Sequence, residues 1–319
     1  MRRSMPSARA TQTRSSTSAD APLTSAEAPS TSIEAPSTST EALPTDVPVD
    51  PPSLTTVSDM SQPSPESSPG VAVVTGASRG LGAAIARRLA NDGWSVGCVA
   101  TTEASATPIA RELAEQSGVT TVAIGARVED RAQVEGALDQ IEADLGPIGL
   151  MVNNAGISQV APFLDTDPDD FARIVDINML GVFHGSQAAA RRMVASDTKG
   201  AIVQLGSIAG RNGFPHRVGY CGTKSAVHHM TSVMAIDLAP HGIRVNCVAP
   251  GYIRTDMVQN LIDAGTLDEQ RLAARIPTEQ LGAPDHIAAA VAWLASDESA
   301  YVTGETITVD GGWVAYGHI

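Results

Sequence analysis

A tyrosine and a lysine four positions apart, Tyr220 and Lys224, have the clearest catalytic potential of any pair of side chains in the sequence. On a helix, residues at this spacing share one face, so the phenol and the ammonium lie near each other. An ordinary phenol has a pKa near 10, and a nearby positive charge favours its deprotonated form. We therefore expect the pKa of Tyr220 to fall to about 7, which suits proton transfer at neutral pH. A third polar side chain, Ser207, follows an apolar run that predicts a strand.

A glycine-rich segment at residues 75–82 is typical of a loop that binds phosphate groups. The segment reads Thr75-Gly76-Ala77-Ser78-Arg79-Gly80-Leu81-Gly82. It follows a predicted strand and opens a predicted helix, where glycines allow a tight turn and a close approach of the backbone. The start of the helix then offers free N–H groups and a partial positive charge to a pyrophosphate. The segment therefore predicts a nucleotide-binding site.

The elements that must position these residues alternate between apolar strands and helices over residues 70–319. Predicted strands cover 71–75, 95–101, 120–124, 148–152, 201–206, 243–248 and 306–309. Predicted helices cover 80–91, 104–117, 130–144, 168–195, 219–238 and 285–295. Continuous apolar strands between helices indicate a parallel sheet that is covered on both faces. Right-handed connections then give a single α/β domain with a doubly wound, Rossmann-type sheet.

Residues 1–69 differ in composition from the rest of the chain. Ser, Thr and Pro make up 37 of these 69 residues, and Phe, Trp and Tyr do not occur among them. A polar seven-residue repeat runs through 25–45. Because such a stretch cannot bury enough apolar surface to offset the entropy of ordering, we expect a disordered tail.

The charge and the cysteine content exclude several classes of protein. The chain has 319 residues and a formal net charge of −14, which disfavours nucleic acid or an anionic membrane as the main partner. No apolar run approaches the ~18 residues of a membrane span. The three cysteines are odd in number and widely spaced, so we expect reduced thiols in a cytoplasmic protein. We predict no metal site, and we interpret His184, His228 and His229 as surface or interface residues.

The spacing of the glycines resembles the T-G-x-x-x-G-x-G fingerprint of the short-chain dehydrogenase/reductase family. Further motifs of that family extend the resemblance over residues 70–319. These are Asn153-Asn154-Ala155-Gly156, Asn178, Ser207 with Tyr220 and Lys224, Pro250-Gly251 through Thr255, and Asp310-Gly311-Gly312. The resemblance implies an oxidoreductase that transfers hydride between a nicotinamide cofactor and a carbonyl or alcohol.

The resemblance also implies a role for each matching residue. Tyr220 would be the general acid or base, Ser207 would hydrogen-bond the substrate oxygen, and Lys224 would hold the nicotinamide ribose. Asn178 would anchor a water that links the lysine to solvent. The implied catalytic set is Asn178, Ser207, Tyr220 and Lys224. The implied cofactor-binding residues are Gly76, Ser78, Arg79, Gly80, Leu81, Gly82, Thr101, Thr102, Val128, Asn154, Ala155, Gly156, Tyr220, Lys224, Pro250, Gly251, Ile253 and Thr255.

The end of the second predicted strand bears on the choice between the two nicotinamide cofactors. Enzymes that bind NAD place an acid there for the ribose 2′-hydroxyl, whereas this sequence has Thr101 and Thr102. Arg79 can place a guanidinium beside a 2′-phosphate. We therefore expect a preference for NADP(H), with NAD(H) possible because Glu103 lies close in sequence.

Within the family, the sequence most resembles 3-oxoacyl-(acyl-carrier-protein) reductases, so an acyl thioester is the first candidate substrate. Those reductases dock the acidic carrier protein with arginines, but the corresponding places here read Ser-Asp-Thr-Lys at 196–199 and Ala-Pro-His at 239–241. The alternative is a dehydrogenase of sugars, polyols or other small alcohols. The alternative from another class is a nucleotide-sensing regulator without turnover.

The resemblance implies two further features of the protein. Residues 255–281 would form a substrate lid, and the sequence there has a broken helical pattern. The protein would be a homotetramer in which the helices at 168–195 and 219–238 pair across subunits. We expect small residues on the pairing faces, namely Ala188, Ala189, Ala190 and Ala226.

Overall fold

The computed structural model describes residues 69–263, 265 and 267–317. Apart from Pro69, the tail predicted at residues 1–69 lies outside the described part of the chain. The first strand begins at Val71. The division of the chain at residue 70 stays a prediction.

Seven strands of the described chain form one sheet. They are β1 (Val71–Thr75), β2 (Ser95–Ala100), β3 (Thr121–Gly125), β4 (Ile148–Asn153), β5 (Ala201–Leu205), β6 (Arg244–Pro250) and β7 (Thr306–Val309). Their order in the sheet is β3-β2-β1-β4-β5-β6-β7, and every neighbouring pair is parallel. The chain thus winds outward from β1 to one edge and then from β4 to the other, which confirms the predicted doubly wound fold.

Helices cover both faces of the sheet. They are α1 (Gly80–Asn91), α2 (Glu103–Ser117), α3 (Arg131–Leu145), α4 (Pro168–Val175), α5 (Gly181–Ala195), α6 (Val218–Leu238), α7 (Asp256–Asp263), α8 (Glu269–Arg275) and α9 (Pro284–Ala295). Buried residues of α1, α2 and α9 share one apolar cluster, and those of α3, α5 and α6 share another. Alternate residues of β1 belong to the two clusters. Ala72 and Val74 pack in the first cluster and Val71 and Val73 in the second, because successive side chains of a strand point to opposite faces of the sheet.

Polar residues fix the starts of three helices. The Thr102 side chain accepts a hydrogen bond from the third residue of α2, and the Asp130 side chain accepts two from the first turn of α3. Asp167 does the same for α4, which begins with Pro168. Because Thr102 and Asp130 follow β2 and β3, these caps also set the conformation of the loops at the carboxyl ends of those strands.

The helix predicted at 168–195 differs in the structure. A π-helical turn at Asp176–Leu180 separates α4 from α5, and Asn178 lies within it. The Asn178 amide hydrogen-bonds both the N–H (2.8 Å) and the carbonyl (2.9 Å) of Ile157, in the loop after β4. Such turns are frequent at functional sites. The wider turn accommodates a side chain that bonds across to another segment, which the spacing of apolar residues does not reveal.

The segment at 255–281 contains the two short helices α7 and α8, consistent with its broken pattern. Arg254 joins them, because its guanidinium donates to Gln259 of α7 (3.0 Å) and pairs with Glu269 of α8. Arg275, at the end of α8, donates to the carbonyl oxygens of Trp313 (3.3 Å) and Tyr316 (2.7 Å). The segment is therefore connected to the end of β6 and to the C-terminal stretch.

Candidate active site

Most of the predicted site residues follow the carboxyl ends of five neighbouring strands. The strand ends are Thr75 of β1, Ala100 of β2, Asn153 of β4, Leu205 of β5 and Pro250 of β6. Because the strands are parallel, these ends lie along one edge of the sheet, and the winding reverses between β1 and β4. Open α/β sheets bind their ligands in the crevice at such a reversal.

The glycine loop after β1 depends on glycine at specific positions. Gly76 and Gly80 have φ values of 65° and 56°, in the left-handed region that favours glycine. A Cβ atom at Gly82 would overlap the carbonyl oxygen of Gly76, so α1 packs directly on the turn that precedes it. The Ala77 N–H donates to the carbonyl of Val99 (3.0 Å), which fixes the loop to the end of β2.

The start of α1 fits the pyrophosphate of a dinucleotide. Arg79 precedes the first helical residue, Gly80, and no side chain caps the first turn. The N–H groups of that turn are therefore available to an anion. A Cβ atom at Gly80 would meet only the Thr255 side chain, at 3.8 Å or more, so the segment after β6 passes beside this helix start.

The two threonines predicted to bind the adenosine ribose differ in their surroundings. Both are exposed, as are Ser78 and Arg79 in the glycine loop that follows the neighbouring strand, β1. The hydroxyl of Thr102 is shared with Ser105 in a capping box at the start of α2. Thr102 is thus primarily a helix cap, whereas Thr101 has no such contact among the described residues.

Asn154 supports the glycine loop from the side. Its Nδ2 donates to the carbonyl oxygens of Thr75 (2.8 Å) and Gly76 (3.2 Å), and its N–H donates to the Thr75 hydroxyl (3.0 Å). The Ala155 N–H donates to the same hydroxyl (3.1 Å). The Asn153–Gly156 motif therefore holds the ends of β1 and β4 together. The structure gives Asn154 this bracing role in addition to the predicted contact with a cofactor.

Ser207 and Tyr220 lie side by side at the end of β5. Ser207 is buried, its hydroxyl accepts the N–H of Ala209 (3.1 Å), and its side chain lies near enough to that of Tyr220 to affect the tyrosine pKa. Burial raises the pKa of Tyr220 above its ordinary value of 10, and the Ser207 hydrogen bond and the positive charge of Arg217 oppose the rise. The predicted lowering is therefore wrong, because loss of water around the phenol outweighs the nearby charges.

Lys224 is buried beneath the tyrosine. Its Nζ atom donates to the carbonyl oxygen of Leu205 (2.7 Å) and lies 5.8 Å from the centre of the Tyr220 ring. Burial lowers the pKa of Lys224 from 10.5 to about 8. A lysine ammonium has three donors, and one is used here, so two stay available to a ribose or a water. The four-residue spacing correctly predicts that the two side chains are neighbours, but it does not show the effect of burial on the lysine itself.

Asn178 and Gly156 lie next to the lysine. A Cβ atom at Gly156 would be 3.2 Å from Asn178 Oδ1 and 3.7 Å from Lys224 Nζ. Asn178 is fully buried, and its Nδ2 also approaches the Thr223 hydroxyl (3.4 Å) on the same turn of α6 as the lysine. The structure thus brings together all four residues of the predicted catalytic set.

His228, interpreted from sequence as a surface or interface residue, lies under the serine loop. Its Nε2 accepts the N–H of Ser207 (3.4 Å), and a Cβ atom at Gly206 or Gly210 would overlap its ring. Burial lowers the pKa of His228 to about 4, helped by the charges of Arg211 and Lys224, so the ring is neutral and can accept. The signal available in the sequence was its position four residues after Lys224, on the same face of α6.

The segment after β6 and the loop after β3 complete the predicted cofactor contacts. Gly251 packs against Asp310, and its N–H donates to the carbonyl of Val309 (2.9 Å). The side chain of Ile253 is buried against Gly282. Val128 is buried, and its carbonyl oxygen bonds the ring of His184 (3.0 Å).

Two classes of feature are not found in the described part of the chain. No group of three or more metal-ligating side chains lies together there. None of the described helices is long and apolar enough to cross a membrane.

Comparison with known proteins agrees with this geometry. Residues 76–314 match the family model described as enoyl-(acyl carrier protein) reductase. The chain is 38% identical over 244 residues to the 3-oxoacyl-[acyl-carrier-protein] reductase of Escherichia coli (strain K12), covering 76% of this chain and 96% of the relative. It is 34% identical over 246 residues to glucose 1-dehydrogenase 2 of Bacillus subtilis (strain 168), covering 77% and 95%.

A solved structure of a related enzyme has the same fold as this chain. The gluconate 5-dehydrogenase from Burkholderia cenocepacia J2315, in complex with NADP and tartrate, superposes with a TM-score of 0.73 at 35% identity, covering 77% of this chain and 96% of that one. The chain belongs to the short-chain dehydrogenase/reductase family. It is an NAD(P)-dependent oxidoreductase, related both to 3-oxoacyl reductases and to sugar dehydrogenases.

Proposed function

We propose that the protein is a carbonyl reductase or alcohol dehydrogenase that prefers NADPH and uses Tyr220 as its general acid and base. The observation that carries the proposal is the placement of Ser207 and Tyr220 beside the buried ammonium of Lys224, whose Nζ atom lies 5.8 Å from the centre of the tyrosine ring. A regulator that only senses a nucleotide has no need for this buried set of proton-transfer groups, so catalysis is the better-supported reading.

The residues have distinct roles in the reducing direction. When bound, the reduced nicotinamide supplies the hydride. The Tyr220 hydroxyl donates a proton to the carbonyl oxygen, and the raised pKa keeps that proton in place at neutral pH. The Ser207 hydroxyl hydrogen-bonds the same oxygen. Lys224 uses its remaining donors to hold the nicotinamide ribose, and Asn178 fixes the loop beside it.

The preference for NADPH is supported by the charges at the ends of β1 and β2. The bond from Ala77 to Val99 brings the glycine loop beside the end of β2, and the exposed residues that follow are Arg79 and Thr101. A guanidinium there favours a 2′-phosphate through charge-assisted hydrogen bonds. Arg127, on the next loop, is paired with Glu129 (2.8 Å), so its charge is already partly balanced.

Two substrate classes are supported by different observations. The identity to the reductase of E. coli favours a 3-oxoacyl thioester. A sugar, polyol or other small alcohol is favoured by the loop at 196–199 and the turn at 239–241, which lack the arginines expected for docking an acyl carrier protein. The similarity to glucose and gluconate dehydrogenases also supports a sugar or polyol as the substrate.

We also propose a cytoplasmic homotetramer built on α5 and α6. Apolar side chains are exposed on or beside these helices, namely Leu180, Phe183, Val194, Val233 and Ile236. Large apolar side chains exposed on both helices support an interface there. The prediction that Ala188, Ala189 and Ala190 lie on the pairing face is wrong, because all three are buried in the apolar cluster that packs α5 on the sheet. Small residues there let the helix approach the strands closely.

The test of the proposed activity is a panel of 3-oxoacyl thioesters, sugars and simple ketones, assayed with NADPH and with NADH. We expect turnover of at least one class, with the higher kcat/KM for NADPH. Cofactor binding without turnover of any carbonyl or alcohol in the panel would favour the regulator and contradict the proposal.

A further inference from the structure

Arg217 occupies an unusual backbone position just before α6, three residues ahead of Tyr220. The preceding residue, His216, has a φ of 63°, a left-handed conformation that is uncommon outside glycine and that is found repeatedly at active sites. The carbonyl of His216 accepts the N–H of Ala161 (2.9 Å), and that of Arg217 accepts the N–H of Cys221 (2.8 Å). The backbone of Arg217 is thus held between α6 and the loop after β4.

The guanidinium is fixed to the same loop but keeps spare donors. Its Nη1 atom donates to the Ser158 hydroxyl at 2.8 Å, and the side chain is half-buried. Within the described residues, no carboxylate lies within ion-pair distance of it. A guanidinium has five N–H donors in a planar fork, so most of them are available to a further acceptor.

The charge of Arg217 reaches two tyrosines that border the candidate active site. Burial raises the pKa of both Tyr220 and Tyr252, and in each case the positive charge of Arg217 opposes the rise. Tyr252 directly follows the Pro250-Gly251 segment, and its ring packs on those of Phe214 (6.4 Å between centres) and Trp313 (4.9 Å). The guanidinium is thus held on the side of the site where α6 begins and the loop after β4 passes, three residues ahead of the proton donor.

We propose that Arg217 binds the carboxylate of the substrate and determines specificity for a small oxo acid, or for the matching hydroxy acid in the oxidising direction. The inference rests on the proposed reductase activity and narrows its substrate class. The fork of a guanidinium matches the two oxygens of a carboxylate, and one cation balances one carboxylate. The carboxylate is not changed by the reaction: the carbonyl carbon gains a hydride, the oxygen gains a proton from Tyr220, and the nicotinamide is oxidised.

The experiment compares each of three oxo acids, pyruvate, acetoacetate and levulinate, with its neutral methyl ester, using NADPH. For at least one pair, the wild type should use the acid with a kcat/KM about 10- to 100-fold above that of the ester, the range expected for a charge-assisted hydrogen bond. In Arg217→Gln this ratio should fall by a similar factor, mainly through KM for the acid. Arg217→Lys keeps the charge but not the fork, so it should retain part of the preference.

The matched control is Arg211→Gln, on the same loop. Arg211 is exposed and donates to the carbonyl of Thr306 (3.1 Å), so the variant should keep the wild-type ratio. The inference is overturned if the wild type uses all three esters at least as well as the acids. An unchanged acid preference in folded Arg217→Gln, or in Arg217→Lys should the first variant not fold, also overturns it. If the esters are reduced in either of these results, the reductase activity itself is intact. Failure of the inference about Arg217 can therefore be distinguished from failure of the proposed function.

Discussion

Replacing the buried Lys224 with methionine should abolish turnover and at the same time stabilise the fold at neutral pH. The side chain is 5% exposed, and burial lowers its pKa from 10.5 to about 8. At 1.36 kcal/mol for each pKa unit, keeping the ammonium charged in the folded protein costs about 3 kcal/mol. Methionine removes this penalty but leaves the Leu205 carbonyl without its Nζ donor, a loss of about 1–3 kcal/mol. We expect a net gain of up to about 2 kcal/mol, or up to about 8 °C in Tm.

The sign of the pH dependence follows from the same two pKa values. Between pH 8 and pH 10.5 the unfolded chain holds a proton on Lys224 that the folded protein has lost. The stability of the wild type therefore rises with pH across this window, relative to a variant without the lysine. Below pH 8 the folded and unfolded states are both protonated, so the penalty is at its full value. The advantage of Lys224→Met should be largest at pH 7 and should shrink towards pH 10.5.

The assay is thermal unfolding followed by circular dichroism at pH 7 and pH 10, at one protein concentration. The chain's other lysine, Lys199, is exposed, and Lys199→Met serves as the matched control. Its Tm should differ from that of the wild type by the same small amount at both pH values. A Lys224→Met variant that is less stable than the wild type at pH 7, or whose advantage is equal at both pH values, would refute the reasoning.

Three further predictions test the supports of the site. His228→Leu removes the acceptor for the Ser207 N–H and should lower kcat at least about 10-fold, whereas His228→Gln should recover much of the loss; equal rates in the two variants would contradict a positioning role. Arg79→Ala should reduce the ratio of kcat/KM for NADPH to that for NADH about 10-fold or more, and an unchanged ratio would show that another group reads the 2′-phosphate. Gly82→Ala should prevent cofactor binding, measured by fluorescence titration, because its Cβ overlaps the Gly76 oxygen. Gly136→Ala, at an open position in α3, should instead raise the free energy of unfolding by about 0.5–1 kcal/mol; normal cofactor binding by Gly82→Ala would disprove the packing argument.

The sheet and most of its helices could be predicted from sequence because their signals are local. Apolar runs such as that of β1 are buried on both faces, and glycines with left-handed φ values at 76 and 80 mark the turn into α1. The positions of Ser207, Tyr220 and Lys224 at one edge then follow from the parallel topology alone.

Other features depend on contacts between distant segments and escaped prediction for that reason. The π-helical turn at Asn178 accompanies two hydrogen bonds between the Asn178 side chain and the backbone of Ile157, 21 residues earlier. The direction of the pKa shifts of Tyr220 and Lys224 depends on how deeply the two groups are buried, which their spacing does not show. Arg217 and His228 also escaped prediction, and His228 was interpreted as a surface or interface residue. Their positions three residues before Tyr220 and four after Lys224 were nevertheless a local signal that could have indicated neighbours of the site.

Proton transfer by Tyr220 is tested most directly by a comparison of two tyrosine variants. Tyr301 is fully exposed, so Tyr301→Phe is a matched control for Tyr220→Phe. The measurement is kcat/KM for the best carbonyl substrate of the panel, together with the Kd for NADPH. Tyr220→Phe should lose at least about 10²-fold in kcat/KM while its Kd for NADPH stays near that of the wild type, and Tyr301→Phe should match the wild type in both. Activity of Tyr220→Phe within tenfold of the wild type would contradict the account.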